Sequence, residues 1–183
     1  MREESLQQLL QAMNRHRPAV HCLTNTVVQA LTANMLLAIG AIPSMSTDIA
    51  EVADFTAGAN ALIVNLGTLD QDRKTAIQAA LTAARENNIP WILDPVLIDR
   101  APKRLAYAKE LIDSNPALIR GNRAEINALS ANPEELATTS KAIVAVTGET
   151  DLVTDGTKEI TLTGGHEMMS RVTGIGCAGT ALL

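Results

Sequence analysis

The sequence predicts a three-layer α/β fold in which helices cover both faces of a mostly parallel central sheet. Short apolar runs alternate with longer segments that carry apolar residues at helical spacing, which is typical of strand–helix–strand units. The runs 61–64 and 142–146 are apolar at every position, as expected of parallel strands covered on both faces. Residues 152–162 instead indicate an antiparallel hairpin, which we expect at one edge of the sheet.

The predicted helices and strands follow one another along the whole chain. Residues 3–15 place leucines at helical spacing, and Pro18 prevents this first helix from continuing. After it, the strand and helix of each unit are predicted at 20–24 and 27–39, at 61–66 and 71–87, and at 89–96 and 102–114. Because no internal repeat or linker interrupts this order, we expect one domain over residues 1–183.

The last part of the chain departs from the strand–helix alternation. Asp155-Gly156 is expected to form the tight turn between strands 152–154 and 159–162, with both turn residues at positive φ. Residues 177–183 have the apolar pattern of a buried helix that begins there, without a capping glycine or a basic last turn. We therefore expect the chain to be incomplete after the glycine-rich segment 173–179.

Composition excludes several classes of partner. The chain has 183 residues, of which 46% are apolar and 19% charged, and its formal net charge is −5. Basic residues do not cluster beyond pairs, and one Trp, one Tyr and one Phe are too few to stack single-stranded bases. No apolar run approaches the roughly 20 residues that span a bilayer. We expect a small-molecule ligand, with no nucleic acid and no membrane.

The two cysteines do not indicate a disulfide framework. Cys22 and Cys177 are far apart, and no signal-like apolar segment precedes the first helix. The cytoplasm is therefore the expected compartment.

Ligands of an open parallel sheet bind beyond the carboxyl ends of its strands, so the residues that follow each apolar run are the candidate site. Most of these segments carry polar side chains or glycine, and they are 24–26, 43–46, 65–68, 94–96, 120–122 and 147–149. Thr26, Ser46 and Asn122 also directly precede helical stretches, which makes them candidate N-caps. Six such segments together favour a ligand site over capping alone.

Two carboxylates form a candidate Mg²⁺ site. Asp94 follows a buried strand, and Glu125 comes three residues after Asn122. Mg²⁺ keeps several waters and is commonly held by one or two carboxylates with substrate phosphates. The alternative for Glu125 is a capping box with Asn122, and spacing does not decide between the two. Arg120 ends another buried run, where it would bind a phosphate or pair with one of these carboxylates.

The segment 173–179 contains the pattern G-x-G-x-x-G. A dinucleotide site is not favoured, because that fingerprint needs an acidic residue about 20 positions later within a βαβ unit. Glycines before a helix instead leave backbone N–H groups free to bind an anion such as a phosphoryl group. Cys177 would lie at the helix N-terminus, where the dipole lowers a thiol pKa and favours a role as base. The alternative is a small buried side chain, which is our interpretation of Cys22.

Taken together, these segments resemble the hydroxyethylthiazole kinases, a family with the ribokinase-like fold. Their order and spacing match over almost the whole chain, in the segments 20–25, 43–46, 94–96, 120–122 with Glu125, 146–149, 153–156 and 173–177. The glycine-rich anion segment ends in Cys177, where most ribokinase relatives carry Asp, and this feature is specific to few families.

The resemblance implies that ATP phosphorylates the hydroxyl group of 4-methyl-5-(2-hydroxyethyl)thiazole, in thiamine salvage. It implies that Asp94 and Glu125 organise Mg²⁺, through water, and that Cys177 lies at the attacking hydroxyl. The remaining contacts implied are Asn25, Met45, Gly67 and Gly174 with the thiazole, Arg120 and Thr147 with ATP, and Thr173, Gly174 and Gly176 as the anion hole. The family forms homotrimers with the thiazole site at subunit contacts, and we expect the same assembly here.

Two departures from the family pattern concern the nucleotide side. Only 16 residues separate Glu125 from Ala142, where the family usually has a longer segment, and the sequence lacks the helices that normally follow the anion hole. Both are expected to weaken ATP binding and to leave the thiazole side unchanged. The alternatives are a kinase for hydroxymethylpyrimidine or pyridoxal, a binding protein without turnover, and a fragment of a longer chain.

Overall fold

The computed structural model describes residues 3–183, and these have the three-layer α/β architecture that the sequence predicts. Within this range one sheet contains β1 Ala19–Leu23, β2 Ile42–Ser44, β3 Ala61–Asn65, β4 Trp91–Asp94, β5 Leu118–Asn122, β6 Ile143–Thr147, β7 Thr150–Thr154 and β8 Glu159–Thr163. The helices are α1 Glu3–His16, α2 Gln29–Ala38, α3 Val52–Ala57, α4 Gln71–Glu86, α5 Pro102–Ile112, α6 Arg123–Leu129, α7 Pro133–Ser140 and α8 Ile175–Thr180. Short 3₁₀ helices span Ile98–Arg100 and Glu167–Arg171. None of the helices described is both long and apolar enough to cross a membrane.

The sheet has the strand order β2-β1-β3-β4-β5-β6-β7-β8. Strands β1 to β6 are parallel, and β7 and β8 add to them in antiparallel fashion, which confirms the predicted hairpin. From β1 the chain first moves outward to β2 and then returns to β3 on the other side of β1. Because the strand order reverses there, the crevice at the carboxyl ends of β1 and β3 is the expected place for a ligand.

Strand β3 shows why both faces of the sheet are covered. Leu62 and Val64 pack in a large cluster with side chains of α4 and α5, whereas Ile63 belongs to a second cluster with Cys22. The three β3 side chains are at most 3% exposed. Burial of each contributes about 1.5–3 kcal/mol, which explains why this strand is apolar up to Val64.

The hairpin turn differs from the prediction in one respect. Gly156 has a φ of +88°, but Asp155 does not adopt a positive φ. The Asp155 carboxylate instead accepts hydrogen bonds from the backbone N–H groups of Lys158 (2.7 Å) and Thr157 (2.8 Å). These bonds, that from Lys158 first, lower the pKa of Asp155 to about 2. The turn is therefore a four-residue loop that an aspartate side chain closes.

Of the three candidate N-caps, one is confirmed. The Asn122 side chain accepts a hydrogen bond from the Glu125 N–H (3.0 Å), and Glu125 Oε2 accepts one from the Asn122 N–H (2.8 Å), which together form a capping box. The prediction for Thr26 and Ser46 is wrong, because α2 and α3 begin further along the chain and have no side-chain cap.

Candidate active site at the carboxyl edge of the sheet

The carboxyl ends of β1, β3 and β4 place polar side chains in one buried chain of hydrogen bonds. Asn25 Nδ2 donates to Asn65 Oδ1 (3.2 Å), and Asn65 Nδ2 donates to Asp94 Oδ2 (2.7 Å). The register of β3 and β4 explains the second bond, since it puts Asn65 directly beside Asp94. Thr180, in α8, donates from Oγ1 to the same Asp94 oxygen (2.8 Å). These four residues are at most 5% exposed.

Asn65 joins the two halves of this chain of hydrogen bonds, although the sequence analysis did not single out this residue. Its Oδ1 accepts from the Gly67 N–H (2.9 Å) as well as from Asn25. A Cβ atom on Gly67 would lie 2.8 Å from the Asn25 Cβ, so these two predicted thiazole contacts are adjacent. Thr180 was also missed, because the carboxylate to which it donates, that of Asp94, is 86 positions away in the sequence.

Asp94 is a buried carboxyl group with one unoccupied oxygen. Oδ2 receives both hydrogen bonds, and Oδ1 accepts none from the described part of the chain. Burial raises the pKa of Asp94 to about 6 because a charged carboxylate loses its hydration there. The positive charge of Arg120 and the hydrogen bond from Thr180 oppose this shift.

Glu125 uses both carboxylate oxygens in the fold. Oε1 accepts a hydrogen bond from the Leu97 N–H (2.8 Å), and Oε2 accepts one from the Asn122 N–H (2.8 Å). The capping alternative for this residue is therefore confirmed. Across residues 3–183, His, Cys, Asp and Glu side chains do not form a group of three that could hold a metal ion.

A cleft of about 1050 Å³ opens at the carboxyl ends of β5 and β6. Arg120 and Thr147 line it, together with parts of the segments 148–151 and 162–169 and the start of α8. Among the described residues, no carboxylate lies within 4.0 Å of the Arg120 guanidinium, so the ion-pair alternative for this residue is not found. Both predicted ATP contacts thus line one cleft that is large enough for a nucleotide.

The glycine-rich segment connects this cleft to the buried hydrogen-bond chain. Gly174 has a φ of +80°, and a Cβ atom there would lie 2.1 Å from Val28 Cγ1, so only glycine fits. A Cβ atom on Gly176 would lie 3.1 Å from Arg120 Nη1. The first turn of α8 therefore lies beside the Arg120 guanidinium, which gives an anion both backbone N–H groups and a positive charge. Thr173 precedes this turn and is exposed.

The prediction that the Cys177 thiol has a lowered pKa is wrong. Cys177 is half-buried, and burial raises its pKa, as does the nearby Asp94 carboxylate. Hydrogen bonds from Asn65 and Asn25 and the charge of Arg120 act in the opposite direction. The cost of removing a thiolate from water outweighs the dipole of a helix that is only six residues long. Cys22 is fully buried with a pKa raised to about 12, which confirms its interpretation as a small buried side chain.

Most of the chain matches one known protein family. The model of the "Hydroxyethylthiazole kinase family" matches residues 10–134 and 130–183. The chain belongs to this family. The two matches overlap at residues 130–134, which comprise the connection between α6 and α7 and the first two residues of α7.

Individual hydroxyethylthiazole kinases agree with this assignment. The chain is 45% identical to hydroxyethylthiazole kinase from Klebsiella pneumoniae subsp. pneumoniae, over 97% of this chain and 76% of that protein. It superposes on the structure of hydroxyethylthiazole kinase from Pyrococcus horikoshii OT3 with a TM-score of 0.93 at 34% identity, over 98% of this chain and 74% of that one.

A more distant solved structure supports the ribokinase-like fold. A ribokinase-like superfamily protein from Enterococcus faecalis V583 superposes with a TM-score of 0.65 at 11% identity, over 90% of this chain and 68% of that one. This likeness concerns the fold alone.

Most residues expected for a hydroxyethylthiazole kinase site lie close together. Asn25, Gly67 and Cys177 surround the Asn65 amide, and Gly174 contacts Val28, whose N–H donates to the Asn25 carbonyl (3.3 Å). Met45 is the exception. It packs against the smaller apolar cluster of the core, and within residues 3–183 no hydrogen bond joins it to the Asn65 amide. Its role in thiazole binding stays a prediction.

Proposed function

We propose that this chain transfers the γ-phosphoryl group of ATP to the hydroxyl group of 4-methyl-5-(2-hydroxyethyl)thiazole, as a step of thiamine salvage. Membership of the hydroxyethylthiazole kinase family supports the substrate pair. The observation that carries the proposal is the position of the first turn of α8. This turn lies between the cleft that Arg120 lines and the buried amides of Asn25 and Asn65. The anion site therefore adjoins the cleft for ATP on one side and the place for the alcohol on the other.

On the nucleotide side, Arg120 and Thr147 contact ATP in the cleft. Backbone N–H groups of Thr173, Gly174 and Gly176 hold the phosphoryl group during transfer. Phosphoryl transfer depends mainly on positioning and on neutralising charge over the equatorial oxygens, and a guanidinium beside a helix N-terminus supplies both.

The carboxylates fit a water-mediated Mg²⁺ site and not a direct protein cage. Asp94 Oδ1 accepts no hydrogen bond within residues 3–183, whereas both Glu125 oxygens already accept backbone N–H groups. Such a pair suits an ion that keeps several waters and takes further oxygen ligands from phosphate. When bound, Mg²⁺ would neutralise the negative charge of the phosphates.

Cys177 lies beside the attacking hydroxyl and accepts its proton. The hydroxyl oxygen forms a bond to the γ-phosphorus, the bond from phosphorus to the β–γ bridging oxygen breaks, and the proton passes to the Cys177 sulfur as ADP leaves. Because burial raises the pKa of the Cys177 thiol, the thiolate is a minor species at neutral pH. Only the thiolate can accept the proton, so the reaction proceeds through this fraction, and kcat is expected to rise with pH as the thiolate becomes populated.

The thiazole ring binds against Asn25, Gly67 and Gly174, and Met45 completes the site across a homotrimer interface. Exposed apolar side chains around the β2 edge support such an interface, and they are Val27, Leu37, Ile42, Ile49 and Phe55. Light scattering at micromolar concentration is expected to give the mass of a trimer. A monomer would contradict both the assembly and the role of Met45.

A coupled assay of ADP release tests the proposed reaction. With Mg²⁺ and ATP, ADP is expected only when the thiazole alcohol is present, and the product is the alcohol monophosphate by mass spectrometry. Pyridoxal and hydroxymethylpyrimidine serve as competing acceptors under the same conditions. Faster turnover of either one would assign the chain to another vitamin kinase activity, and thiazole binding without ADP release would indicate a binding protein.

A further inference from the structure

Arg73, in α4, is a buried arginine. The hydrogen bonds of its guanidinium all go to the ends of two strands and to the loop after one of them. Arg73 is 7% exposed, and within residues 3–183 no carboxylate lies within 4.0 Å of its guanidinium. Nη2 donates to the Leu23 carbonyl (3.2 Å) at the end of β1 and to the Asn65 carbonyl (3.0 Å) at the end of β3. Nη1 donates to Thr68 Oγ1 (2.9 Å) and to the Gly67 carbonyl.

This arrangement uses the guanidinium as a rigid connector. Its five N–H donors lie in one plane at fixed angles, so two nitrogens can reach acceptors on different strands at once. Burial lowers the pKa of Arg73, and the Asp70 carboxylate opposes that shift. A buried charge without a paired carboxylate is costly. An apolar side chain would fill the same space without this desolvation cost. Arg73 therefore has a role in the structure beyond packing.

The acceptors of Arg73 belong to the two segments that carry the predicted thiazole contacts. Leu23 is two residues before Asn25, and Asn65 Oδ1 accepts hydrogen bonds from both the Asn25 amide and the Gly67 N–H. Thr68 adopts a φ of +47°, which is unfavourable for a β-branched residue. Its hydroxyl accepts from Arg73 and also from the Thr26 N–H (3.3 Å), which ties this loop to the one after β1.

We propose that Arg73 is a positioning residue for the acceptor alcohol, because it joins the ends of β1 and β3 and so holds Asn25 and Gly67 in place. This inference rests on the proposed function, since it assigns the two loops to the alcohol and not to ATP. Arg73 acts through other residues and does not touch the cleft at the ends of β5 and β6.

The substitution Arg73→Lys tests this role, because it keeps the charge and removes the planar fork. Lysine offers three donors on one nitrogen and cannot bond to two strands in the same geometry. We expect the KM of the thiazole alcohol to rise about tenfold or more, as for the loss of one or two hydrogen bonds. The KM of ATP should stay within about twofold. Arg85→Lys, an exposed position in the same helix, is the matched control and should change neither constant.

Amide hydrogen exchange provides a readout that does not need turnover. In Arg73→Lys, exchange in segments 24–28 and 65–69 should be about tenfold faster, with little change in segment 147–151. Unchanged exchange in the two loops, or a general increase with both KM values unchanged, would overturn the proposal. If the wild-type chain does not phosphorylate the alcohol, the proposed function fails, and the exchange pattern alone then decides whether Arg73 holds the loops.

Thr68→Gly decides the question if Arg73→Lys does not fold. Glycine accepts the positive φ and removes one of the four acceptors of Arg73. A selective rise in the KM of the alcohol, smaller than that in Arg73→Lys, is expected. Unchanged kinetics together with unchanged exchange in segments 24–28 and 65–69 would contradict the role of Arg73.

Discussion

Asp94→Asn should make the protein more stable at neutral pH while it abolishes catalysis. Asp94 is 2% exposed, and its Oδ2 accepts hydrogen bonds from Asn65 and Thr180. An asparagine side chain has the same shape and can accept both bonds through its own oxygen. The substitution therefore removes the buried charge and keeps the hydrogen bonds.

The size of the effect follows from the pKa shift. Burial raises the pKa of Asp94 from 3.8 to about 6. The folded state then binds this proton more tightly than the unfolded state, so stability falls as the pH rises from about 4 to about 6. A shift of about two units corresponds to roughly 3 kcal/mol above pH 7, at about 1.4 kcal/mol per unit. For a chain of this length that corresponds to a Tm increase of about 6–12 °C.

Urea unfolding at pH 7.5 and pH 4, in buffer with EDTA, measures this difference. Asp94→Asn should be about 3 kcal/mol more stable than the wild type at pH 7.5, and the gain should fall below about 1 kcal/mol at pH 4. Asp155→Asn is the control, because hydrogen bonds lower the pKa of that exposed carboxyl and no gain is expected at pH 7.5. A destabilised Asp94→Asn at pH 7.5, or an equal gain at both pH values, would refute the reasoning.

Substitutions at Cys177, Gly174 and Asn65 test the site further. Cys177→Ala should lower kcat by about 10²–10⁴-fold, and an alanine variant with wild-type kcat would contradict the base role. Cys177→Asp should retain activity. Its kcat should not rise at alkaline pH, whereas that of the wild type should, because the pKa of the Cys177 thiol is raised. Gly174→Ala should lower the free energy of unfolding, measured by calorimetry, by about 2–4 kcal/mol because the added methyl group meets Val28. In the control Gly179→Ala the methyl group meets no atom within 4 Å, and the free energy of unfolding should rise by about 0.5–1 kcal/mol. Asn65→Leu should lower the free energy of unfolding in urea by about 3–5 kcal/mol, since three hydrogen bonds are removed. A loss below about 1 kcal/mol would show that the hydrogen bonds of the Asn65 amide do not stabilise the fold.

The sheet was predictable because parallel strands have a strong local signal. Strand β3 is apolar from Ala61 to Val64, and the structure places alternate side chains of this strand in separate clusters. Helix α7 was not predicted, although Asn132 accepts from the Glu135 N–H and Pro133 occupies the first turn. Those signals are visible in the sequence. Thr26 and Ser46 were candidate caps only, because residue type alone does not show at which residue a helix begins.

The site was predictable only where one residue type implies one chemistry. Asp94, Arg120 and the glycine-rich segment could be selected because charge and glycine at strand ends have few structural explanations. The role of Asn65 depends on its register with Asp94, which no local pattern contains. The pKa of Cys177 depends on burial by residues distant in sequence, so the dipole argument taken alone had the wrong sign.

The bond from Thr180 to Asp94 has a consequence for the order of assembly. It joins residues 86 positions apart, whereas the bond from Asn65 to Asp94 spans 29. Closing the longer loop costs about 1 kcal/mol more in chain entropy, by the logarithmic dependence on loop length. The sheet can therefore form as its strands leave the ribosome, each beside an earlier one. Within residues 3–183, the contact of α8 with β4 can form only after the sheet strands that it joins.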